Sequence, residues 1–232
     1  MTNDQVEARL ARVMERIGAA AERAGRRAED VEILPVTKGH SPRAIEVVRE
    51  LGVGRIGENR VPEAEAKRSA LGPTPGVAWH LIGRLQRNKA RRALRVFDVI
   101  ESVDSVRLAN TLSRIAEEEQ RGPVDILVQV NTSGEAAKAG LEPEGALDAV
   151  GEICALPGLR VGGLMTLAPF TGDEAMLRTV FRGVAGLLAR CRAEISGFQG
   201  RVLSMGMSND FEIAVEEGST RLRLGTVLLG ER

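Results

Sequence analysis

The sequence predicts an α/β protein, a single (β/α)8 TIM barrel with an extra N-terminal helix, which spans residues 1–232 as one domain. Short apolar runs alternate with longer helical patterns, and this order is typical of a parallel sheet. Eight apolar runs are long enough to be strands. A length of 232 residues also suits a closed barrel, because such barrels reach this size as one domain.

The first element is a charge-rich segment in which Val6, Leu10, Val13 and Ile17 recur at helical spacing, so an amphipathic helix ends near Gly25. The candidate strands that follow are 31–38, 53–57, 77–83, 97–103, 124–131, 159–167, 201–205 and 222–226. The candidate helices between them include 42–51, 62–70, 86–94, 106–120, 143–155 and 173–191. The last unit is too short for an outer helix, so we expect the N-terminal helix to cover that gap.

Composition favours a small-molecule partner. Basic and acidic residues are equal at 32 each, so no overall field would attract nucleic acid or an anionic membrane. No apolar stretch is long enough to span a bilayer, and the charged N-terminus is unlike a signal peptide, so we expect a cytoplasmic protein. Cys154 and Cys191 lack the spacing of a metal site or disulfide framework. Aromatic residues are scarce, which favours a monomer.

The stretch EILPVTKGH, residues 32–40, places a lysine at the end of an apolar run. The run is typical of a strand in a parallel sheet, which is buried on both faces. Lys38 would then lie at the carboxyl end of the first strand. A lysine there is either solvated at the rim or held for chemistry, and the sequence pattern alone leaves both open.

GVGRIG, residues 52–57, matches the dinucleotide-binding pattern G-x-G-x-x-G but in the wrong context. That motif must follow a strand and open a helix. Here it follows a candidate helix and leads into a strand. The sequence therefore predicts a helix end and a turn.

Two segments after the seventh and eighth strands indicate a phosphate site. They are SMGMSND, residues 204–210, and LGT, residues 224–226. Barrels often bind phosphate with these two loops. Small residues there let backbone N–H groups approach an anion, and Ser204, Ser208 and Thr226 add hydroxyl donors. Ordinary tight turns would give the same pattern.

Other charged residues permit more than one interpretation. Arg221 and Arg223 lie two apart on a candidate strand and so share a face, which is either the barrel interior or the helix layer. His80 ends another strand and is either an acid or base or, as we favour, a hydrogen-bonded core residue. The basic segment 84–92 is more typical of a solvated helix face than of an anion or nucleic-acid patch.

Several long motifs together carry a family resemblance. They are VTKGH, GENRVPEAEAK, WHLIGRLQRNKAR, VNTSGEAAKAG, GLMTLAPF, LSMGMSNDFEIAVEEGSTRLRLGT and the closing GER. From about residue 6 onward the chain resembles the pyridoxal phosphate homeostasis proteins, which are similar to the N-terminal barrel domain of alanine racemase. This resemblance implies a (β/α)8 barrel that binds pyridoxal 5′-phosphate as a Schiff base on Lys38.

The resemblance also implies roles for other residues. It places Ser204 and the backbone of Gly225 and Thr226 at the phosphate, Arg223 opposite the pyridine nitrogen and Asn59 beside the cofactor. Three features depart from the family pattern: the lysine is flanked by Thr37 and Gly39 where S-K-T or S-K-x is common, Arg60 replaces a common tyrosine, and Arg84 replaces a common histidine.

The resemblance further implies a carrier or regulator of the cofactor without efficient turnover, whose partners include apoenzymes that use it. An arginine facing the ring nitrogen disfavours the protonated ring that stabilises a substrate carbanion. The resembled racemase uses a tyrosine from a second domain as its second base, and this sequence has neither. The alternative is a racemase or lyase of low activity that uses His80 or Cys191 as that base.

Overall fold

Eight parallel strands form one sheet that closes into a barrel. The computed structural model describes residues 2–132 and 139–231. The strands are β1 (Glu32–Pro35), β2 (Arg55–Glu58), β3 (Ala78–Leu81), β4 (Val99–Val103), β5 (Val124–Gln129), β6 (Leu159–Met165), β7 (Val202–Ser204) and β8 (Arg221–Leu224).

The strand order explains how the barrel closes. Neighbours pair in the order β1-β8-β7-β6-β5-β4-β3-β2. The two ends of this order meet through a parallel bridge between Val36 and Gly57, and the Thr37 N–H donates to the Gly57 carbonyl at 3.0 Å. The predicted barrel is therefore confirmed.

Helices surround the barrel. They are α1 (Asn3–Arg23), α2 (Arg43–Glu50), α3 (Val61–Leu71), α4 (Ala90–Val96), α5 (Val106–Glu118), α6 (Ala146–Cys154), α7 (Glu174–Glu194), α8 (Phe211–Glu216) and α9 (Thr226–Leu229). Two 3-10 turns, Ala28–Asp30 and Arg87–Lys89, precede β1 and α4. No helix in the described ranges is long and apolar enough to cross a membrane.

The N-terminal helix covers the side of the barrel where the outer helices are shortest, as expected. A capping box at Thr2 begins α1, and Val6, Val13 and Ile17 form its buried stripe. This helix packs against α8 and α9, which have six and four residues. Ion pairs from Arg16 to Glu212 and from Arg23 to Glu216 flank the contact between α1 and α8.

Some element bounds differ from the sequence prediction. Strand β1 ends at Pro35, and the chain turns soon after Lys38, where Gly39 has a φ of 75°. Thr226 belongs to α9 and not to the last strand. Helix α8 was not predicted, since six residues give too short a pattern. Gly52, with a φ of 78°, follows α2 and leads towards β2, which confirms a turn at GVGRIG.

The apolar core lies mainly between the barrel and the helices. Its largest fully buried aromatic side chains are Trp79, Phe97, Phe181 and Phe211. The barrel interior, by contrast, holds several buried polar side chains near the carboxyl ends of the strands. These polar residues define the candidate site.

Candidate functional site

Lys38 lies just beyond the carboxyl end of β1, as predicted. Side chains alternate along an extended chain, so Leu34 and Val36 share a face. Leu34 is fully buried and is in register with Arg223 of the neighbouring strand β8. Lys38 lies in the turn that follows this strand and is partly buried at the mouth of the barrel.

A buried ionic cluster holds the backbone on both sides of Lys38. The Lys67 Nζ of α3 donates to the Thr37 carbonyl oxygen at 2.7 Å, to Glu58 Oε1 at 2.7 Å and to Glu63 Oε1 at 2.8 Å. Glu63 Oε1 also accepts from the Gly39 N–H at 2.5 Å. The peptide groups flanking Lys38 are thus fixed from the outside of the barrel. We call Glu58, Glu63 and Lys67 the lysine clamp.

Glu58 is the most deeply buried member of the lysine clamp. Its Oε1 accepts from the Thr37 hydroxyl at 2.5 Å and from Lys67, while its Oε2 has no hydrogen-bond partner among the described residues. Burial raises the pKa of this carboxyl, and the bonds from Lys67 and Thr37 only partly offset that effect. The ion pair with Lys67 is therefore needed to keep a carboxylate there.

Arg223 lies inside the barrel and is almost fully buried. Its Nη1 donates to the Ser204 carbonyl at 2.6 Å and to the Ser204 hydroxyl at 2.8 Å, and its Nη2 donates to the Thr166 carbonyl at 2.7 Å. These bonds use three of the five N–H groups of a guanidinium. Within the described residues the other two have no acceptor, so Arg223 retains donors for a ligand atom.

Glu101 of β4 organises a second polar group deeper in the barrel. Its Oε1 accepts from His80 Nδ1 at 2.7 Å and from Arg221 Nη1 at 3.0 Å, and its Oε2 accepts from the Ser204 hydroxyl at 2.6 Å. Burial alone would raise the pKa of Glu101, but His80, Arg221 and Ser204 lower that pKa to about 2. Glu101 is therefore a stable internal anion.

The positions of Arg221 and Arg223 settle the question raised by their spacing. Both face the barrel interior. Arg221 pairs with Glu101 and with Glu32, the latter at 2.9 Å, whereas Arg223 has no ion pair among the described residues. Arg223 thus differs from Arg221 in lacking a directly bonded carboxylate among the described residues, while the negative charges of Glu101 and Asp210 act on it without direct contact.

The two predicted phosphate loops lie next to each other. The Ser208 hydroxyl accepts from the Val227 N–H at 3.4 Å, which joins the loop after β7 to the start of α9. The backbone N–H groups of Gly225 and Thr226 donate to no acceptor in the described ranges. Two free amides and the proton of the Ser208 hydroxyl therefore remain available to an anion.

Ser204 has a different environment from the one that its predicted role requires. Its hydroxyl has one proton, which it donates to Glu101, and the same oxygen accepts from Arg223. The side chain is fully buried below the loops. Its role at a phosphate stays a prediction, while its observed role is to connect Arg223 with Glu101.

Asn59 packs against Gly83 at the mouth of the barrel. A Cβ built on Gly83 would lie 2.1 Å from the Asn59 carbonyl oxygen and 2.5 Å from its Oδ1. Only glycine therefore fits at position 83. This close approach fixes Asn59 beside the loops that follow β2 and β3.

The residues of the alternative function are poorly placed for catalysis. His80 is buried and bonded to Glu101, which agrees with the core interpretation. Cys191 lies buried on the outer helix α7, and burial raises the pKa of its thiol to about 11. Neither side chain is free to act as a second base at the barrel mouth.

The basic segment 84–92 divides into two parts. On α4, Arg91 pairs with Glu118 and Glu119, and Arg92 pairs with Glu65. These pairs neutralise the outer face of the helix, as expected for a solvated surface. The earlier part of the segment lies at the barrel mouth.

Sequence reasoning missed the lysine clamp and Glu101. The spacing of Glu63 and Lys67, four residues apart in a candidate helix, was a signal for an ion pair. An acidic residue inside the apolar run VIESV was a signal for a buried carboxylate with partners. The motif VNTSGEAAKAG includes residues 133–138, which lie outside the described residues.

Comparison with known proteins gives consistent matches. The family described as alanine racemase, N-terminal domain, matches residues 9–232. A protein of Aquifex aeolicus named pyridoxal phosphate homeostasis protein is 39% identical over 224 residues, 97% of each chain.

Solved structures match as well. The crystal structure of an unknown protein from Bifidobacterium adolescentis superposes with a TM-score of 0.90 at 37% identity, covering 98% of this chain and 95% of that chain. PipY of Synechococcus elongatus with PLP bound superposes with a TM-score of 0.80 at 38% identity, covering 87% of this chain and 93% of PipY.

Proposed function

This chain belongs to the alanine racemase N-terminal domain family, and within it to the pyridoxal phosphate homeostasis proteins, and from this premise we propose its function. It binds pyridoxal 5′-phosphate (PLP) and acts in the intracellular homeostasis of that cofactor. The observation that carries the proposal is the meeting of Lys38, Arg223 and the amides of Gly225 and Thr226 at one end of the neighbouring strands β1 and β8.

The donors at this end fit the chemical groups of PLP. The ring nitrogen is an acceptor, and Arg223 has two N–H groups without an acceptor among the described residues. The phosphate is an anion, and Gly225, Thr226 and Ser208 offer donors from one pair of loops. The aldehyde needs an amine, which Lys38 supplies.

We therefore assign each residue a role. Lys38 anchors the aldehyde as a Schiff base. Arg223 faces the ring nitrogen, and Asn59 lies beside the cofactor. Gly225 and Thr226 bind the phosphate through their backbone, and Ser204 supports that region.

When bound, PLP supplies an electron sink for amino-acid chemistry. Arg223 weakens that sink, because a permanent cation beside the ring nitrogen opposes its protonation. The charge of Glu101 attracts Arg223, but its two oxygens are bonded to His80, Arg221 and Ser204, so the guanidinium stays the group proposed to face the ring nitrogen. The surrounding residues thus favour holding the cofactor over using it.

The proposal also covers where the protein acts, its oligomeric state and its partners. The protein acts in the cytoplasm as a monomer, and apoenzymes that need PLP are its partners. The scarcity of aromatic residues supports a monomer. Light scattering on a size-exclusion column measures the mass against 24.9 kDa for one chain.

A visible absorption spectrum of the purified protein tests the central proposal. We expect an absorbance band from bound PLP, and after borohydride reduction we expect peptide mapping to find the label on Lys38. The Lys38→Ala variant should lose the label and keep its fold by circular dichroism. A protein that takes up no added PLP contradicts cofactor binding, and a label on another lysine contradicts the role of Lys38.

Turnover assays separate the carrier from the racemase or lyase. We expect PLP-loaded protein to convert D- or L-amino acids no faster than free PLP. Steady-state turnover well above that rate, lost in Lys38→Ala, would establish an enzyme instead.

A further inference from the structure

A cavity of about 750 Å³ opens at the barrel mouth beside Asn59. Its walls come from the segments after β2, β3 and β4, whereas the proposed cofactor residues other than Asn59 lie on β7 and β8 or directly after β1 and β8. The cavity therefore lies at the same end of the barrel as Lys38 but is built from other strands. We call this cavity the basic cleft.

The basic cleft carries a strong excess of positive charge. It is lined by one carboxylate and five cations: Asp104, Arg60, Arg84, Arg87, Lys89 and Arg107. The single carboxylate is 3.8 Å from Arg84 Nε. In the described parts of the chain, Arg87, Lys89 and Arg107 form no ion pair. Their charges are thus not neutralised by any carboxylate of the described residues.

The excess of positive charge is specific to the basic cleft and is not a general property of the basic segment 84–92. Arg91 and Arg92, only a few residues along the chain from Arg87, each pair with glutamates of neighbouring helices. The same stretch of sequence thus has neutralised arginines on its outer face and uncompensated cations at the barrel mouth.

The walls of the basic cleft favour a small ligand over a nucleic acid. Its volume falls within the range of roughly 300–1,000 Å³ that is typical of small-molecule sites. No aromatic side chain lines it, so nothing offers a surface on which bases could stack. Arginine binds carboxylate and phosphate oxygens through paired N–H groups.

We propose that the basic cleft binds a small, multiply charged anion, a phosphate ester or a polycarboxylate, as a second site separate from that of PLP. The buried side chains of Leu85 and Leu108 form part of its apolar floor. This assignment rests on the charges of the cleft and does not depend on Lys38 carrying the cofactor.

Isothermal titration calorimetry tests the proposal with pyrophosphate and citrate as probes, each with and without saturating PLP. We expect saturable binding of at least one probe that persists with PLP present. Binding of only pyrophosphate or only citrate assigns the site to phosphate or to carboxylate ligands. The double variant R87Q/K89Q should weaken binding of the probe by about tenfold or more. The reason is that a hydrogen bond between a charged side chain and an anion contributes more to binding than one between neutral groups. The matched variant R91Q/R92Q removes the same charge from the outer face and should bind nearly as the wild type does.

Four results would overturn the proposal. They are the lack of saturable binding of either probe, equal weakening by the two double variants, displacement of the probe by PLP, and tighter binding of a single-stranded oligonucleotide than of either probe. Displacement would assign the anion to the cofactor's phosphate loops. Tighter oligonucleotide binding would make the cleft a nucleic-acid site. Uptake of PLP, measured separately by absorbance, reports on the proposed function alone.

Discussion

The Lys67 ammonium donates to the carbonyl oxygen of Thr37 at 2.7 Å, so a side chain of an outer helix holds the peptide bond that precedes Lys38. The same nitrogen neutralises Glu58, which is buried with it. One cation thus supports both the local backbone and a buried carboxylate.

Replacing Lys67 by Met should therefore have two effects. It leaves Glu58 as a buried, unpaired carboxylate, which costs about 3–5 kcal/mol of unfolding free energy. It also frees the backbone at Lys38, so PLP should dissociate faster. Urea unfolding and absorbance after dialysis measure the two effects. Adding Glu58→Gln should recover part of the stability, whereas the exposed Arg49→Met should change neither. Unchanged stability of Lys67→Met would show that the lysine clamp does not support the fold.

The low pKa of Glu101 predicts a pH dependence of stability. Its pKa is about 2 in the fold and 4.5 ordinarily, so its contribution is complete above about pH 4.5 and is lost as the pH falls towards 2. Glu58 has the opposite effect on the pH dependence. Its pKa is raised in the fold, so its contribution to stability falls as the pH rises and the carboxyl becomes charged. Glu101→Gln should destabilise the protein at neutral pH, and its difference from the wild type should shrink towards pH 2.

Denaturant unfolding between pH 2 and pH 6 measures that difference, with the exposed Glu144→Gln as control. A constant difference between Glu101→Gln and the wild type over this range would mean that Glu101 does not have a lowered pKa in the fold.

The close contact between Gly83 and Asn59 allows a steric test of whether Asn59 belongs to the proposed PLP site. A Cβ there meets the Asn59 backbone at 2.1 Å, so Gly83→Ala must displace Asn59 and should cost about 1–3 kcal/mol through overpacking. PLP affinity should fall with it. Gly122→Ala, which has open space around its Cβ, should leave thermal stability and affinity unchanged. A Gly83→Ala protein with wild-type PLP affinity would remove Asn59 from the proposed site.

The two serines of the loop after β7 should differ in their roles. Ser208→Ala removes a hydroxyl that accepts a long bond from the Val227 N–H at 3.4 Å and whose proton is available to an anion, so it should weaken PLP binding by about tenfold with little change in stability. Ser204→Ala breaks the link between Glu101 and Arg223 and should lower stability. Equilibrium dialysis and thermal unfolding distinguish them, with the exposed Ser196→Ala as control. Loss of PLP in Ser204→Ala at full stability would instead place Ser204 directly at the phosphate.

The sequence predicts the barrel and the end at which the site lies. Alternating apolar and helical patterns are local signals, and they were sufficient to place Lys38 and the loops of Ser208 and Gly225 at the carboxyl ends of strands. The link between Glu101 and Ser204 spans 103 residues, so no local pattern reveals it. The lysine clamp likewise depends on which face of α3 meets β2, which only packing decides.

The pairing of strands gives the proposed site a mechanical property. Strands β8 and β1 pair at four positions, whereas the ladder between β7 and β8 has one pair, Ser204 and Arg221. Further backbone bonds join these two chain segments, from the Met205 N–H to the Arg221 carbonyl and from the Arg223 N–H to the Gly206 carbonyl. The Arg223 side chain adds bonds from β8 to the carbonyls of Ser204 on β7 and of Thr166 just after β6. Arg223 is therefore a cross-link between three neighbouring strands, so the barrel wall itself holds its guanidinium in position.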